Sequence, residues 1–353
     1  MKTIIIIGFG ISTLCFLLYL YENDLFKNFD IMIIEKNLTP CYSSLKYNIN
    51  SNSTLKSLLS MFTNDIFKKV ITRVFDEYDK DKYISLLDYN SIIMELSQIL
   101  IDELESVNVK YNFEVINIDT IENKFIINNS LIADKIILAT GGEQTKGFLL
   151  SLDKDNILKD RQDKIIIPHH LFQTNDLSMF KDKNILLSGS SHSIFSIIDL
   201  LLMNKIKYKS ILIYHRSKIK VFYYNEETCL LSGDQCNKDD ICSETGFVNR
   251  FDGIREKSKE IYLNIHNMSN ISFTKDHNSI DFGAIDYIIP CWGYYKKLPI
   301  IDDISTYNID STMNFELILN NNIKHNIYLL GFMSNPKISC TQESFKKSID
   351  GVW

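Results

Sequence analysis

The sequence predicts an α/β protein, doubly wound, with two repeated units of strand, turn, helix and strand. Three observations carry that prediction: an apolar strand that stops at Gly8 and Gly10, a second that stops at Gly189, and further apolar runs that end at Gly141, Gly293 and Gly331. Only 13 of the 353 residues are glycine, so their recurrence at strand ends marks places where a side chain is not tolerated. The length is about twice that of an ordinary domain, which excludes a small stapled scaffold and sets two domains as the expectation.

The first unit begins with the strand Ile4 to Ile7. Gly8-Phe9-Gly10 makes the turn, Ser12 and Thr13 supply helix N-terminal chemistry, and Leu14 to Leu20 is an apolar helix. The strand Ile31 to Ile34 then ends at Glu35, the acidic residue expected to meet a ribose hydroxyl. Gly8 permits the tight turn, and Gly10 bares the backbone N-H groups that a pyrophosphate needs at the positive end of the helix dipole. Thr13 stands in the third glycine position of G-x-G-x-x-G, where a small residue keeps helix and strand close. The uncharged run from Thr3 to Tyr21 is also long enough for a membrane anchor. The glycine interruption and the second strand favour the soluble unit, with no stable membrane insertion expected.

Composition agrees with a soluble globular chain: 45% hydrophobic, 23% charged, mean hydropathy -0.06. The net charge of -6 leaves no basic field for nucleic acid. The seven cysteines contain no C-x-x-C pair, and the loose group Cys229, Cys236 and Cys242 fits no metal template. No metal is expected, and reduced thiols point to the cytoplasm.

An irregular stretch, Lys36 to Asn52, leads into amphipathic helical segments inserted over about 53–105. A meander of strands follows over Val109 to Asp119, Lys124 to Ile127 and Leu131 to Leu138, ending in Ala139-Thr140-Gly141-Gly142. The pattern then repeats. Lys183 to Leu187 is a strand, Gly189-Ser190-Ser191-His192-Ser193 a turn, Ile194 to Met203 a helix, and Ile211 to Tyr214 a strand that ends in His215-Arg216-Ser217-Lys218. Here the strand end is basic, which suits the 2′-phosphate of NADP. A helix is expected over Gly253 to Leu263, short strands near Ile271 to Thr274 and Ile280 to Phe282, apolar strands ending at Gly293 and Gly331, and a last helix over Thr341 to Ser348.

The order of these pieces resembles the FAD/NAD(P)-binding flavoproteins with two dinucleotide-binding domains, and within them the flavin-dependent monooxygenases. The likeness rests on GFGIST at Gly8 to Thr13, ATGG at Ala139 to Gly142, GSSHS at Gly189 to Ser193, PCWGY at Pro290 to Tyr294 and LLGF at Leu329 to Phe332. It implies two nested Rossmann-like domains: 1–165 and 285–353 binding FAD, and 166–284, inserted between them, binding NAD(P)H. FAD would be held by Gly8, Gly10, Ser12, Thr13, Glu35, Lys36, Val115, Thr140, Gly141, Gly331 and Phe332. NADPH, or NADH, would be held by Gly189, Ser190, Ser191, His192, Ser193, Arg216 and Gly293.

The implied activity is oxidation of a small molecule, foremost oxygenation of a nitrogen or sulfur through a flavin hydroperoxide. The alternatives are a flavoprotein reductase or dehydrogenase, or a degenerate FAD-binding protein. The missing C-x-x-C argues against the disulfide reductases. Ser191 replaces the second glycine of the nicotinamide turn, and Phe332 follows Gly331 where many relatives carry Asp. His169 or His170 would be the family's histidine, although Asp163 and Ile165 stand where its upstream Phe and Gly are usual. His169 and His192 are the catalytic candidates. Trp292, Tyr294 and Tyr295 read as packing beside a strand end more than as a substrate cage.

Overall fold

The computed structural model describes residues 1–40, 47–121, 124–174, 176–243, 245–250, 252–268, 270–296, 298–301, 307–309, 316–319 and 323–330. Gly331, Phe332 and the helix expected over Thr341 to Ser348 lie outside the described residues.

The four isoleucines of the first strand, Lys2–Ile7, are buried on both faces, as the middle of a parallel sheet requires. That strand pairs in parallel with Phe29–Ile34 on one side and Lys135–Leu138 on the other. The whole sheet has seven strands, in the order Tyr307–Ile309, Glu316–Leu319, Ile323–Leu329, Lys135–Leu138, Lys2–Ile7, Phe29–Ile34, Val107–Lys110. Ile4 and Ile6 pack into a core with the helices Ile11–Glu22 and Leu86–Glu103, while Ile5 and Ile7 pack with Ile118, Phe125 and Ile127 of the meander. Period-2 alternation thus sends one strand into two cores.

The uncharged N-terminal run divides into this strand, a turn, and a helix of 12 residues, Ile11–Glu22, whose apolar residues are buried in the protein. At 1.5 Å per residue it reaches about 18 Å, well short of the roughly 30 Å of a bilayer core. Among the described residues, no helix is long and apolar enough to cross a membrane.

The second sheet holds Ile271–Thr274, Ser210–Tyr214, Asn184–Ser188 and Tyr287–Pro290, all parallel. The last of these corrects the expected boundary at 285. Because Leu186 lies opposite Ile288, Tyr287–Pro290 completes the second sheet, and the return toward the first begins after it. There the two crossovers are joined: Gly142–Glu143 pairs antiparallel with Tyr295–Lys296, and the Gln144 amide donates to the Gly293 carbonyl at 2.7 Å.

Three local expectations change. Val109 to Asp119 is not one strand; a left-handed Asn112 (φ 53°) separates Val107–Lys110 in the first sheet from Asn117–Ile121 in the meander. Ile280 to Phe282 is irregular chain after a single 3-10 turn, its side chains drawn into a local core by packing and not by pairing. Within the inserted region, the polar strand Asn50–Thr54 pairs with Tyr83–Ser85. Its lack of apolar alternation hid it from the sequence pattern.

The Gly8 turn is the most constrained point of the fold. Its φ is +101°, and a Cβ there would stand 2.6 Å from the Ala139 carbonyl oxygen. Gly8→Ala is therefore expected to lower stability by about 2 kcal/mol or more through steric overlap and left-handed strain. Denaturant unfolding of the purified variant measures this, and a loss below about 0.5 kcal/mol contradicts it.

Candidate functional site

Both glycine turns are built by the same backbone contacts. In the first, the Gly8 N-H donates to the Ile34 carbonyl at 2.8 Å and the Ala139 N-H to Ile7 at 2.8 Å. In the second, the Gly189 N-H donates to Tyr214 at 2.9 Å and the Cys291 N-H to Ser188 at 2.6 Å. A Cβ on Gly189 would lie 2.6 Å from the Cys291 carbonyl oxygen, as one on Gly8 would from that of Ala139. Each turn feeds a helix of 12 residues whose N-cap, Gly10 or Ser191, makes no side-chain cap hydrogen bond. The first N-H groups of both helices are thus left to an anion.

Around the first turn the side chains brace the loop itself. Thr13, fully buried, donates its hydroxyl to the Gly8 carbonyl at 2.7 Å. Its side chain therefore braces the turn itself. Glu35 is 2% exposed. Its Oε2 accepts from the Phe9 N-H at 2.9 Å, and its Oε1 from the Asn37 backbone at 2.9 Å and side chain at 2.5 Å. A carboxylate offers about four acceptor positions, so one remains for a ribose hydroxyl. The bare backbone at Gly8 and Gly10, the uncapped helix and Glu35 beside the loop together fit the pyrophosphate and ribose of a dinucleotide such as FAD. Gly141, at φ +71°, turns the chain away at the neighbouring strand end, with Thr140 exposed next to it. Ser12 is half-buried and Lys36 exposed beside this turn, and Val115 packs, half-buried, against the core that Ile7 and Ile34 share with the meander.

The second turn opens on a cleft of about 590 Å³, walled by Leu152, Lys154, Ser188 to Ser191, Tyr214, Arg216, Ser217 and Cys291 to Gly293. Gly189, Ser190, Ser191, Arg216 and Gly293 are thus brought together as expected. The Trp292 indole N-H donates to Ser188 Oγ at 2.8 Å, and the Arg216 guanidinium lies 5.4 Å from the indole ring centre. Ser190 and Ser217 share a hydroxyl bond of 3.1 Å. By backbone register His215, not Arg216, takes the place of Glu35: its N-H donates to Thr274 at 3.0 Å just as that of Glu35 donates to Lys110 at 2.9 Å. A 9% exposed imidazole, its Nδ1 bonded to the Ser217 carbonyl at 2.9 Å, replaces the carboxylate.

His192 and Ser193 are not among the residues that wall this cleft. Burial, and then the Arg255 guanidinium, push the His192 imidazole down to about 4, opposed by a hydrogen bond to the Gly253 backbone. His192 is therefore neutral, as a helix N-terminus favours, but it belongs to the packing between Gly253 and Arg255.

His169 proves part of a cluster that the sequence did not show. The Tyr47 hydroxyl lies 2.8 Å from His169 Nδ1 and 2.9 Å from the Tyr294 hydroxyl, joining the segment after the first unit, the linker and the second crossover. Burial raises both phenols and lowers His169, which its neighbour His170 lowers further and Glu143 partly restores. The three groups are neutral at neutral pH, a positioning network capable of passing a proton along one line. Tyr47 follows no motif, and Tyr294 reads as packing, so only the tertiary structure assembles them.

Among the described residues, no group of three or more His, Cys, Asp or Glu side chains is placed to hold a metal. Cys291, on the cleft wall, is buried and its thiol raised well above the ordinary range by desolvation, which leaves it inert.

No protein-family model matches the sequence, and no curated protein is similar to it at the sequence level. Solved structures do match over the whole chain. The bacillithiol disulfide reductase of Staphylococcus aureus, 15% identical, aligns with 100% of this chain and 97% of its own at a TM-score of 0.55. The ornithine N-hydroxylase of Kutzneria sp. 744, in complex with reduced FAD, NADP+ and L-ornithine, is 11% identical over 99% of this chain and 98% of its own, with a TM-score of 0.63. The L-lysine 6-monooxygenase of Pseudomonas syringae is 13% identical over 99% and 97%, with a TM-score of 0.60. The fold is that of the two-domain FAD/NAD(P)-binding flavoproteins.

The depressed His192 imidazole gives a pH dependence of known sign. Between pH 6.5 and about 4 the unfolded chain binds a proton there that the native chain does not, so stability conferred by neutral His192 is complete above pH 6.5 and lost as pH falls through this window. His192→Gln is expected to flatten the fall in unfolding midpoint between pH 6.5 and 4.5. Equal slopes for the two proteins contradict it.

Proposed function

We propose that this chain is an FAD-dependent, NAD(P)H-using oxidoreductase, with FAD at the Gly8 turn and the nicotinamide nucleotide in the cleft at the Gly189 turn. The observation that carries the proposal is the duplicated turn: two glycines, each pressed on a carbonyl, each opening an uncapped helix, in one chain. In this reading the FAD-binding domain is formed by the seven-stranded sheet with its meander and inserted helices, and the nucleotide-binding domain is nested within it. Bound flavin supplies hydride acceptance and, in an oxygenase, oxygen activation.

The chain's own residues hold and orient. Gly8, Gly10 and the helix N-terminus receive the FAD pyrophosphate, with Glu35 on the ribose. Ser190, Ser191 and Ser217 offer hydroxyls to the phosphates of the second nucleotide, and Arg216 offers charge. At Ser191 a hydroxyl stands where a glycine is usual, and this N-cap position, extended at φ -129°, tolerates a Cβ without strain. The serine is therefore compatible with a working nucleotide turn. Tyr47, His169 and Tyr294 lie where the crossovers meet and hold neutral polar groups at the junction.

The specific reaction we favour is oxygenation of a nitrogen or sulfur atom in a small molecule, supported by the likeness to the ornithine and lysine oxygenases. The second reading, reduction of another acceptor, is supported by the equally complete likeness to a disulfide reductase. Against thiol chemistry stand the absence of C-x-x-C and the inert Cys291.

The purified protein is expected to be yellow and to lose its flavin absorbance when NADPH is added without oxygen. No bleaching contradicts the oxidoreductase reading. On mixing the reduced protein with oxygen, a transient absorbance distinct from oxidised and reduced flavin supports oxygenation, and direct reoxidation supports the reductase.

A further inference from the structure

Behind the wall of the cleft at the second turn stands a negative group bonded to two of the residues that line it. This is Asp155, from the segment that enters the second sheet. Its Oδ2 accepts the Tyr214 hydroxyl at 3.0 Å and lies 3.8 Å from Arg216 Nη1. The loop that carries it is pinned, since Asp153 accepts from the Ile157 and Leu158 N-H groups at 2.7 and 2.8 Å. Arg216 is held on its other side by the Trp292 ring. The one arginine on the cleft wall is thus already paired with a carboxylate.

We propose that Asp155 is a specificity-determining residue that lowers the chain's discrimination between NADPH and NADH by competing with the 2′-phosphate for Arg216. This rests on the reading of the cleft as the nicotinamide nucleotide site. A 2′-phosphate carries close to two negative charges at neutral pH, and its recognition by Arg216 must displace the carboxylate or share the guanidinium with it. Sharing brings like charges together, which is selected against, while NADH, with a 2′-hydroxyl, meets no such penalty. Preorganisation of Arg216 by Asp155 acts in the opposite sense, but Trp292 already orients the guanidinium, so repulsion prevails.

The test is calorimetric titration of the FAD-loaded protein with NADP+ and with NAD+. Asp155→Asn keeps an oxygen for the Tyr214 hydroxyl and removes only the charge. It is expected to raise the affinity for NADP+ relative to NAD+ by about tenfold. Tyr214→Phe removes the hydroxyl bond and keeps the charge, and is expected to leave the ratio within about twofold. An unchanged or reduced ratio in Asp155→Asn overturns the proposal while leaving the nucleotide site standing. Failure of both nucleotides to bind any of the proteins overturns the nucleotide reading and this proposal with it.

Discussion

The contact on which the rest of the molecule depends is the approach of a glycine Cα to the carbonyl of a neighbouring strand end, made once by Gly8 on Ala139 and once by Gly189 on Cys291. It holds an interior strand of each sheet against the strand beside it just where both end. Because no Cβ intervenes, the chain turns at once into a helix, and that helix starts with its N-H groups unfilled. Strand order, helix placement and the anion-accepting end of each unit all follow from this single steric condition.

The two turns share a backbone but not a chemistry. In the first, Glu35 and Thr13 tie the loop to its own frame, the Glu35 carboxylate accepting from the Phe9 N-H and the Thr13 hydroxyl donating to the Gly8 carbonyl. In the second, His215 replaces the carboxylate and Ile194 occupies the position of Thr13, fully buried. That loop is instead held from the side, by Trp292 on Ser188 and by Ser217 on Ser190. A duplicated backbone frame thus carries two different sets of bracing side chains.

The frame was legible because scarce glycines and uninterrupted isoleucine runs have few structural meanings. Ile4 to Ile7 before Gly8 admits a buried parallel strand and little else once Ile31 to Ile34 follows at the right distance. What the sequence could not show depends on long-range contact. Asn50–Thr54 becomes a strand only because Tyr83–Ser85 lies beside it. Tyr47, His169 and Tyr294 are separated by more than a hundred residues at each step and carry no motif. The strand end at Tyr214 was legible, but which residue of the basic run His215 to Lys218 matches Glu35 is set by pairing with Thr274, and that residue is His215.

The candidate histidines show how such limits act on function. Position beside a glycine turn drew attention to His192, yet its imidazole turns to Gly253 and Arg255 and owes its neutrality to burial. His169, in the short helix Pro168–Gln173, instead bonds the Tyr47 hydroxyl, which also meets the Tyr294 hydroxyl where the crossovers from both sheets come together. His192 thus lies beside a glycine turn without walling the cleft, while convergence of chain segments builds the polar network. In a nested fold this is expected, because the junction of the two sheets is assembled from connections, and connections carry the least local pattern.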